Sequence, residues 1–314
     1  MKSADISVII PLYNKASTIR RALESVLAQT LTPREIVVVD DGSTDLGDEE
    51  VDELAEKFSD TPIRLIRQAN AGVSAARNRA IAESSGRCIA LLDADDRWTP
   101  QHLADCQQLI ERYPQCGIWA TAFSVDDGKR IVDGDTPDTE GLVDFFSESL
   151  RRYVVIPSAA VISREHFIAA GGFPVGMRMG EDQYLWIKMA RRAPVAFSPA
   201  RTVIYSKAAD NRSTAIYRPE ECAFSFGELL ATAASEAERE YIARVAIGKA
   251  LVQSAKGGGG TDEAARAIAD FGFTRHNRRA LRKLKFVNSL PPSWRQPFLN
   301  FYNFLAWAIA RKGL

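Results

Sequence analysis

The sequence predicts an α/β fold built on a mostly parallel sheet, followed by a mainly helical C-terminal region. The first observation is that short apolar runs, rich in Val and Ile, alternate with segments of helical periodicity along residues 1–125. Such alternation is typical of right-handed β-α-β units. The second is composition: 46% of the 314 residues are hydrophobic and 25% are charged, which excludes wholesale disorder and fibrous structure.

The first β-α-β unit is predicted from two apolar runs and the segment between them. Residues 6–12 and 35–39 are short apolar runs of the kind found in buried strands. Between them Ile19 and Leu23 recur at helical spacing, which predicts a helix over residues 17–29.

The next elements follow from cap residues and the same two periodicities. Ser43, Thr44 and Asp45 are good helix caps and precede a helix predicted around residues 51–58. A further helix is expected to begin at Thr99, with Pro100 in its first turn. Between these helices we predict strand 63–66, helix 74–83 and strand 88–92.

The rest of the chain is less regular at first and then mostly helical. An apolar run covers residues 159–162, a helix is expected near Glu181, and the helical pattern dominates from residue 219. The length suggests about two domains. We predict one over residues 1–217, with halves 1–125 and 126–217, and a helical region over 218–314 with a flexible glycine break at 257–260.

Charge is balanced overall but not along the chain. Forty basic residues match forty acidic ones, which gives no case for nucleic-acid binding. Residues 271–314 hold nine of the basic residues and none of the acidic ones, leaving 31 basic against 40 acidic residues before them. A basic tail of this kind suggests contact with an anionic surface such as phospholipid headgroups.

Cysteine, histidine and apolar content favour a cytoplasmic protein without a local His or Cys metal site. The four cysteines show no C-x-x-C spacing, and the three histidines are far apart. Any metal would therefore have to be held by carboxylates. The N-terminus lacks the features of a signal peptide, and no uninterrupted apolar stretch reaches the length of a membrane span.

Polar residues follow every predicted strand of the first 125 residues. Ligands of parallel sheets bind outside the carboxyl ends of the strands, so these residues are candidates for a binding site. They are Tyr13 and Asn14 after the first strand, Asp40 and Asp41 after the second, Asn70 and Gly72 after the third, and Asp93, Asp95 and Asp96 after the fourth.

These residue types indicate a nucleoside diphosphate. Asp93 and Asp95 suit a hard divalent ion, which usually completes its shell with phosphate oxygens. Tyr13 offers a face on which a nucleobase can stack. Asp40 or Asp41 can accept a hydrogen bond from an imide N–H of uracil.

Arg77 lies about one helical turn past Gly72 and has two interpretations. It can reach a phosphate, or it can pair with the aspartate cluster. Each candidate also has an ordinary structural alternative, such as a polar loop, rim packing, a turn or a surface ion pair. The agreement between the strand ends favours a binding site.

Four segments resemble family 2 glycosyltransferases of the GT-A fold. In the family's order they are I-S-V-I-I-P-L-Y-N at 6–14, I-V-V-V-D-D-G-S-T-D at 36–45, N-A-G-V-S-A-A-R-N at 70–78 and L-L-D-A-D-D at 91–96. The resemblance implies a GT-A (Rossmann-like) catalytic domain, a nucleotide-diphospho-sugar donor, Mg²⁺ or Mn²⁺, and inversion at the anomeric carbon. It places nucleotide binding in the first half of that domain and the acceptor in the second.

The resemblance also implies roles for residues at the strand ends. Asp93 would lie near the ribose or the metal. The implied nucleotide-sugar-binding residues are Pro11, Tyr13, Asp40, Asp41, Arg77 and Asp93, and the implied metal ligands are Asp95 and Asp93.

Inversion by direct displacement also requires a base for the acceptor hydroxyl, and a carboxylate fits this role. Glu181 and Asp182 resemble the family's E-D pair, and we predict that Asp182 is the base. An ordinary helix-start role is the alternative for both carboxylates. Gly172 and Phe173 resemble the turn before that pair and are expected to shape the acceptor side, together with Glu181.

One loop departs from the family pattern. Members often carry a basic residue, a His and a Ser after the last strand of the catalytic domain, and residues 205–213 lack the His. Lys207 and Arg212 remain candidates for binding the diphosphate, whereas the missing His puts metal coordination from this loop in doubt.

The C-terminal tail combines basic and aromatic residues. This combination suits a pair of helices lying on a membrane, at the inner face of the cytoplasmic membrane and near a lipid-linked acceptor. The alternatives are packing against the catalytic domain or in a homodimer interface. The residues concerned are Arg275, Arg278, Arg279, Arg282, Lys283 and Lys285, followed by Trp294, Phe298, Phe301, Tyr302, Phe304 and Trp307.

Together these features predict a metal-dependent inverting glycosyltransferase that acts from a UDP-sugar on a glycan or lipid-linked glycan in cell-surface polysaccharide synthesis. A dehalogenase-type phosphatase would need a Gly-Thr-like turn after D-x-D, and a dinucleotide oxidoreductase would need G-x-G-x-x-G after the first strand. Neither is present. A catalytically silent donor-binding or scaffold subunit stays open, and the sequence does not identify the sugar, the acceptor or the linkage.

Overall fold

The structure is a computed structural model that describes residues 4–58, 61–207, 223–256 and 277–311. The chain divides into two compact units. The first comprises Met1–Met177 and Glu181–Arg212, and the second comprises Arg178–Gly180 and Ser213–Leu314.

The described residues of the first unit form one ten-stranded sheet. Its order is β3-β2-β1-β4-β9-β6-β10-β5, with β7 paired to β6 and β8 paired to β10. The strands are β1 Ile6–Leu12, β2 Glu35–Asp40, β3 Ile63–Arg67, β4 Cys88–Leu91, β5 Arg97–Trp98, β6 Ile118–Asp126, β7 Ile131–Asp133, β8 Gly141–Val143, β9 Ala160–Ser163 and β10 Val195–Ser206.

The sheet has a parallel block where the β-α-β pattern predicted one. β1 pairs in parallel with both β2 and β4, and β2 pairs in parallel with β3. The block is extended by β9, which is antiparallel to β4 and β6, and by β10, which is parallel to β6. The parallel block brings the carboxyl ends of β1, β2 and β4 to one edge, and the predicted α/β class is confirmed.

Helices cover the sheet and form the second unit. In the first unit they are α1 Ala16–Leu27, α2 Gly47–Lys57, α3 Val73–Glu83, α4 His102–Arg112, α5 Phe145–Ser149, α6 Arg164–Ala170 and α7 Glu181–Ala190. In the described part of the second unit they are α8 Phe226–Ala231, α9 Glu236–Ala255, α10 Arg278–Ser289 and α11 Pro292–Arg311.

The start of α4 differs from the prediction. Thr99 was expected to start this helix, but the side chain of Gln29 takes the place of its first helical hydrogen bond: Nε2 donates to the Thr99 carbonyl at 2.7 Å, and Oε1 accepts from the Leu103 N–H at 2.9 Å. The helix therefore begins only at His102. A side chain about 70 residues earlier in the sequence thus binds the backbone groups that the local pattern assigned to the first turn of the helix.

The core of the first unit lies between the sheet and its helices. All residues of β2 are buried, and α1 buries Ile19, Leu23 and Val26 at the spacing of one helical face. Burying a side chain of this size typically contributes about 1.5–3 kcal/mol. This packing makes the sheet a rigid support for the residues at its edge.

In the second unit, α9 contacts α8, α10 and α11. The inner face of α10 is made by Leu281, Leu284 and Val287, which are all buried. The predicted glycine break at 257–260 lies outside the described residues. Across the described helices, none combines the length and the apolar character needed to cross a membrane.

Candidate functional site

The loops that follow β1 and β2 are tied together by Asn14. Its backbone N–H donates to Ser43 Oγ at 3.0 Å, and its Oδ1 accepts from the Thr44 N–H at 2.7 Å. Asn14 has a φ of 51°, a left-handed conformation that Asn tolerates better than most residues. The neighbouring Tyr13 side chain is 37% exposed, so its ring face is available at this edge.

Asp40 and Asp41, at the end of β2, are both buried and hold different loops. Asp40 Oδ1 accepts from the Ser43 N–H at 3.1 Å. Asp41 accepts from the N–H groups of Ala71 and Gly72, each at 2.8 Å, and from Gln68 Nε2 at 2.7 Å. Asp41 therefore organises the loop before α3, and Pro11 precedes both loops within β1.

Arg77 is a buried cation that contacts two of the candidate carboxylates. Its side chain is 3% exposed, and its Nη2 lies 2.6 Å from Asp93 Oδ1 while its Nη1 lies 3.4 Å from Glu181 Oε1. The guanidinium also lies over the Phe173 ring, 5.1 Å from its centroid. Burial alone would lower the pKa of Arg77, but Asp93, Glu181 and Asp182 raise it above its ordinary value. Arg77 thus links the end of β4 to the start of α7.

Asp95 has a basic partner that the sequence interpretation missed. Lys15 Nζ lies 2.8 Å from Asp95 Oδ2, and Arg21 Nη2 donates to the Asp95 carbonyl at 3.0 Å. The available signal was the position of Lys15, directly after Tyr13 and Asn14 at the end of β1.

Asp96 has a structural role despite its place in the aspartate cluster. It is buried and accepts from Ser158 Oγ at 2.6 Å and from the Ser206 N–H at 2.8 Å. Burial, followed by the charges of Asp93 and Asp95, holds its pKa well above the usual range. Asp96 fixes the end of β10.

The loop after β10 is only partly described. Lys207 is exposed, and its N–H donates to the Asp126 carbonyl at 2.8 Å. It directly follows Ser206, whose N–H binds Asp96, so its backbone is held near the D-A-D-D segment. Arg212 lies outside the described residues.

Asp93 and Asp95 are the residues that would hold a divalent ion of the Mg²⁺ type, and in this structure each carboxylate is paired with a cation, Arg77 and Lys15 respectively. Over residues 4–58, 61–207, 223–256 and 277–311, no three His, Cys, Asp or Glu side chains are grouped to hold a metal. Such ions, however, commonly take only one or two protein carboxylates and fill their shell with water and substrate phosphates. Asp93 and Asp95 supply two partly exposed carboxylates, with side-chain exposures of 27% and 18%.

Asp182 lies in the first turn of α7, beside Glu181 and Arg77. It accepts hydrogen bonds from the Gln183 N–H at 2.9 Å and from Gln183 Nε2 at 3.1 Å. Burial, with a smaller contribution from Glu181, raises its pKa to about 7, although the charge of Arg77 opposes the shift. A carboxylate of this kind is suited to accepting a proton near neutral pH.

The turn before α7 is clamped to α3 by Asn78, whose role the sequence interpretation also missed. Asn78 Nδ2 donates to the Phe173 carbonyl and its Oδ1 accepts from the Phe173 N–H, both at 2.9 Å. Gly172 has a φ of 73°, and an added Cβ would lie 3.0 Å from Asn78 Oδ1, so this position requires glycine. Phe173 is buried behind Arg77.

Comparison with known proteins identifies the family. Residues 7–169, slightly more than half of the chain, match the sequence profile of Glycosyl transferase family 2. The chain belongs to glycosyl transferase family 2. The matched segment contains Asp93, Asp95 and Arg77, whereas Asp182 lies beyond it.

Several curated proteins, most of them named as glycosyltransferases, are similar to this chain in sequence. An uncharacterized glycosyltransferase of Nostoc is 42% identical over 130 residues, which cover 41% of this chain and 38% of that protein. The uncharacterized glycosyltransferase YwdF of Bacillus subtilis is 30% identical over 216 residues, covering 66% of this chain and 77% of YwdF. The succinoglycan biosynthesis protein ExoW of Rhizobium meliloti is 39% identical over 126 residues, covering 39% of each. The chain thus spans less than two thirds of several relatives, including the Nostoc protein.

Solved structures show the same fold at low sequence identity. TarS of S. aureus, residues 1–349 in complex with UDP-GlcNAc, aligns with a TM-score of 0.61 and 17% identity, covering 91% of this chain and 81% of that one. The mannosyltransferase PcManGT of Pyrobaculum calidifontis, in complex with GDP-Man and Mn²⁺, aligns with a TM-score of 0.54 and 20% identity, covering 98% and 76%. The predicted GT-A fold is confirmed for this family 2 glycosyltransferase.

Proposed function

We propose that this glycosyltransferase moves a sugar from a UDP-sugar to a hydroxyl of a glycan or lipid-linked glycan, with inversion, in cell-surface polysaccharide synthesis. The observation that carries the proposal is the cluster in which Arg77 joins Asp93 to Glu181 and its neighbour Asp182. The cluster places a candidate donor-side carboxylate and a candidate base within one electrostatic network. Two similar proteins support this substrate class: ExoW is a succinoglycan biosynthesis protein, and TarS has been solved in complex with UDP-GlcNAc.

The donor is proposed to bind at the edge formed by the ends of β1, β2 and β4. Tyr13 stacks on the base, and Asp40 accepts from it, within loops that Asp41 and Asn14 hold in place. Asp93 and Asp95 would hold Mg²⁺ or Mn²⁺. When bound, the ion supplies charge stabilisation for the leaving diphosphate.

The protein's own groups account for the rest of the proposed reaction. Asp182 accepts the proton of the acceptor hydroxyl as that oxygen attacks the anomeric carbon from the face opposite the diphosphate. Glu181 remains paired with Arg77. Lys207 and Arg212 supply positive charge for the departing diphosphate.

A thermal-shift panel with Mn²⁺ and UDP-, GDP- and dTDP-sugars tests donor binding. At a concentration roughly 100-fold above Kd, the correct donor is expected to raise Tm by about 5–10 °C. Asp95→Ala should reduce this shift, because the variant loses a predicted metal ligand. Glu56→Gln, an exposed carboxylate change on α2, is the matched control.

Two results would count against this proposal. No shift with any donor would contradict nucleotide-sugar binding, and an Asp95→Ala shift equal to the wild-type shift, with and without chelator, would contradict the metal assignment. A shift without turnover of any donor would instead favour the silent donor-binding subunit.

The pH dependence of transfer should report the base. Asp182 has a pKa raised to about 7, and it accepts a proton only when ionised. We therefore expect kcat/KM to be constant on the alkaline side and to fall by about tenfold per pH unit below pH 7. An acidic limb that stays flat down to the ordinary pKa of an aspartate would remove Asp182 from this role.

A further inference from the structure

The second unit exposes large aromatic side chains on α10 and α11. Phe286 is 50% exposed, Trp294 is 67% exposed and Phe301 is 59% exposed. Contiguous exposed apolar patches on soluble proteins commonly mark an interaction surface, whereas isolated exposed side chains need no explanation. Whether these rings form one patch therefore decides their significance.

Helix geometry and one ring contact join them into a single patch. Trp294 and Phe301 lie four residues before and three residues after Phe298, so all three share one side of α11. The Phe298 ring contacts Phe286 of α10, with centroids 5.0 Å apart. We call Phe286, Trp294, Phe298 and Phe301 the aromatic patch.

Basic side chains continue the aromatic patch along α10. Arg282 and Arg279 precede Phe286 by four and seven residues, which places them on the same side of the helix, and both are exposed. The opposite side of α10 is buried within the unit through Leu281 and Leu284. The outward side of α10 therefore combines cations with an aromatic ring.

We propose that the aromatic patch and the adjoining arginines dock this protein on the surface of an anionic lipid bilayer. Exposed aromatic rings can insert at the headgroup boundary of a bilayer, and cations beside them attract anionic lipids. The nine basic and zero acidic residues of positions 271–314 complement anionic headgroups. They oppose a symmetric pairing of two copies through this face, because like charges would meet across the interface.

Flotation of the full-length protein with vesicles tests the proposal. The wild-type protein is expected to float with phosphatidylcholine–phosphatidylglycerol vesicles and not with phosphatidylcholine alone. The double variants Trp294→Ser/Phe301→Ser and Arg279→Gln/Arg282→Gln should each require at least about tenfold more lipid for half-maximal flotation, because each removes one of the two sources of affinity.

Matched controls remove the same kinds of side chain, an exposed ring and two exposed charges, from the surface of the first unit. Tyr153→Ser replaces a ring that is 64% exposed in the first unit, and Lys129→Gln/Arg130→Gln removes two exposed charges near β7. Both controls should float like wild type. Circular dichroism and donor binding would establish that all variants are folded.

Several outcomes would overturn the proposal. One is that the wild-type protein does not float with any vesicles, and another is that it floats equally well with neutral and with anionic vesicles. A third is that both double variants float as well as the wild-type protein. Light scattering that shows a dimer, lost in Trp294→Ser/Phe301→Ser without any lipid binding, would assign the surface to a second copy of the chain. None of these results bears on sugar transfer, so the two proposals fail independently.

Discussion

Replacing Asp182 with Asn is expected to lower the rate of sugar transfer by about 10²–10⁴-fold, the usual contribution of a general base. The amide has nearly the same shape as the carboxylate but does not accept the proton. Donor affinity should remain close to wild type, because Asp182 is proposed to act on the acceptor hydroxyl. A radiolabel transfer assay measures the rate, and calorimetry with the donor and Mn²⁺ measures the affinity.

Two further variants sharpen this experiment. Glu56→Gln makes the same chemical change at an exposed site on α2 and should leave transfer unchanged. Glu181→Gln tests the neighbouring carboxylate, whose pairing with Arg77 predicts a smaller loss than that of Asp182→Asn. Near-normal transfer by Asp182→Asn would show that another group accepts the proton.

Arg77→Gln is expected to be the most destabilising of the proposed changes. It leaves Asp93 and Glu181, with Asp182 beside them, without their shared buried cation. Removing one partner of a fully buried ion pair typically costs about 3–5 kcal/mol of unfolding free energy. Because Asp93 and Glu181 are partly exposed, we expect a loss at the lower end of that range. Urea denaturation of the variant and of wild type measures this loss.

Arg77→Gln is also expected to change the pH dependence of transfer, an effect that lost packing would not produce. The charge of Arg77 lowers the pKa of Asp182, so its loss should raise that pKa. The acidic limb of the kcat/KM profile should then move to higher pH. Arg77→Lys keeps a positive charge. Compared with Arg77→Gln, it is expected to regain part of the unfolding free energy, and the acidic limb of its kcat/KM profile should lie close to the wild-type pH.

The control for Arg77 lies two residues further along α3. Arg79→Gln removes an exposed guanidinium from the same helix and should change unfolding free energy by less than about 0.5 kcal/mol. If Arg77→Gln were as stable as Arg79→Gln, with an unshifted pH profile, the cluster would not have the energetic role inferred from its geometry.

The parallel half of the fold was predictable because its signals are local. The buried run Ile6–Leu12 has the bounds that the apolar pattern predicted. β9 is different, because nothing in its four residues specifies antiparallel pairing between β4 and β6. The start of α4 also depended on a distant side chain, because Gln29 binds both the Thr99 carbonyl and the Leu103 N–H.

The same distinction applies to the site. Asp93, Asp95 and Asp182 could be singled out because their motifs are short, and their roles stay predictions. The roles of Lys15 and Asn78 depend on partners 80 and 95 residues away, and no spacing rule reports such contacts. Asp96 carries the same side chain as Asp93 and Asp95, so only its burial separates a structural aspartate from candidate ligands.

The clamp between Asn78 and Phe173 has a consequence for divergence within the family. Because the turn before α7 is bonded directly to α3, its position does not depend on the length of the 94 residues between them. The outer loops of that stretch can therefore change in length through insertion or deletion while the two hydrogen bonds keep Phe173 against α3, where its ring contacts Arg77.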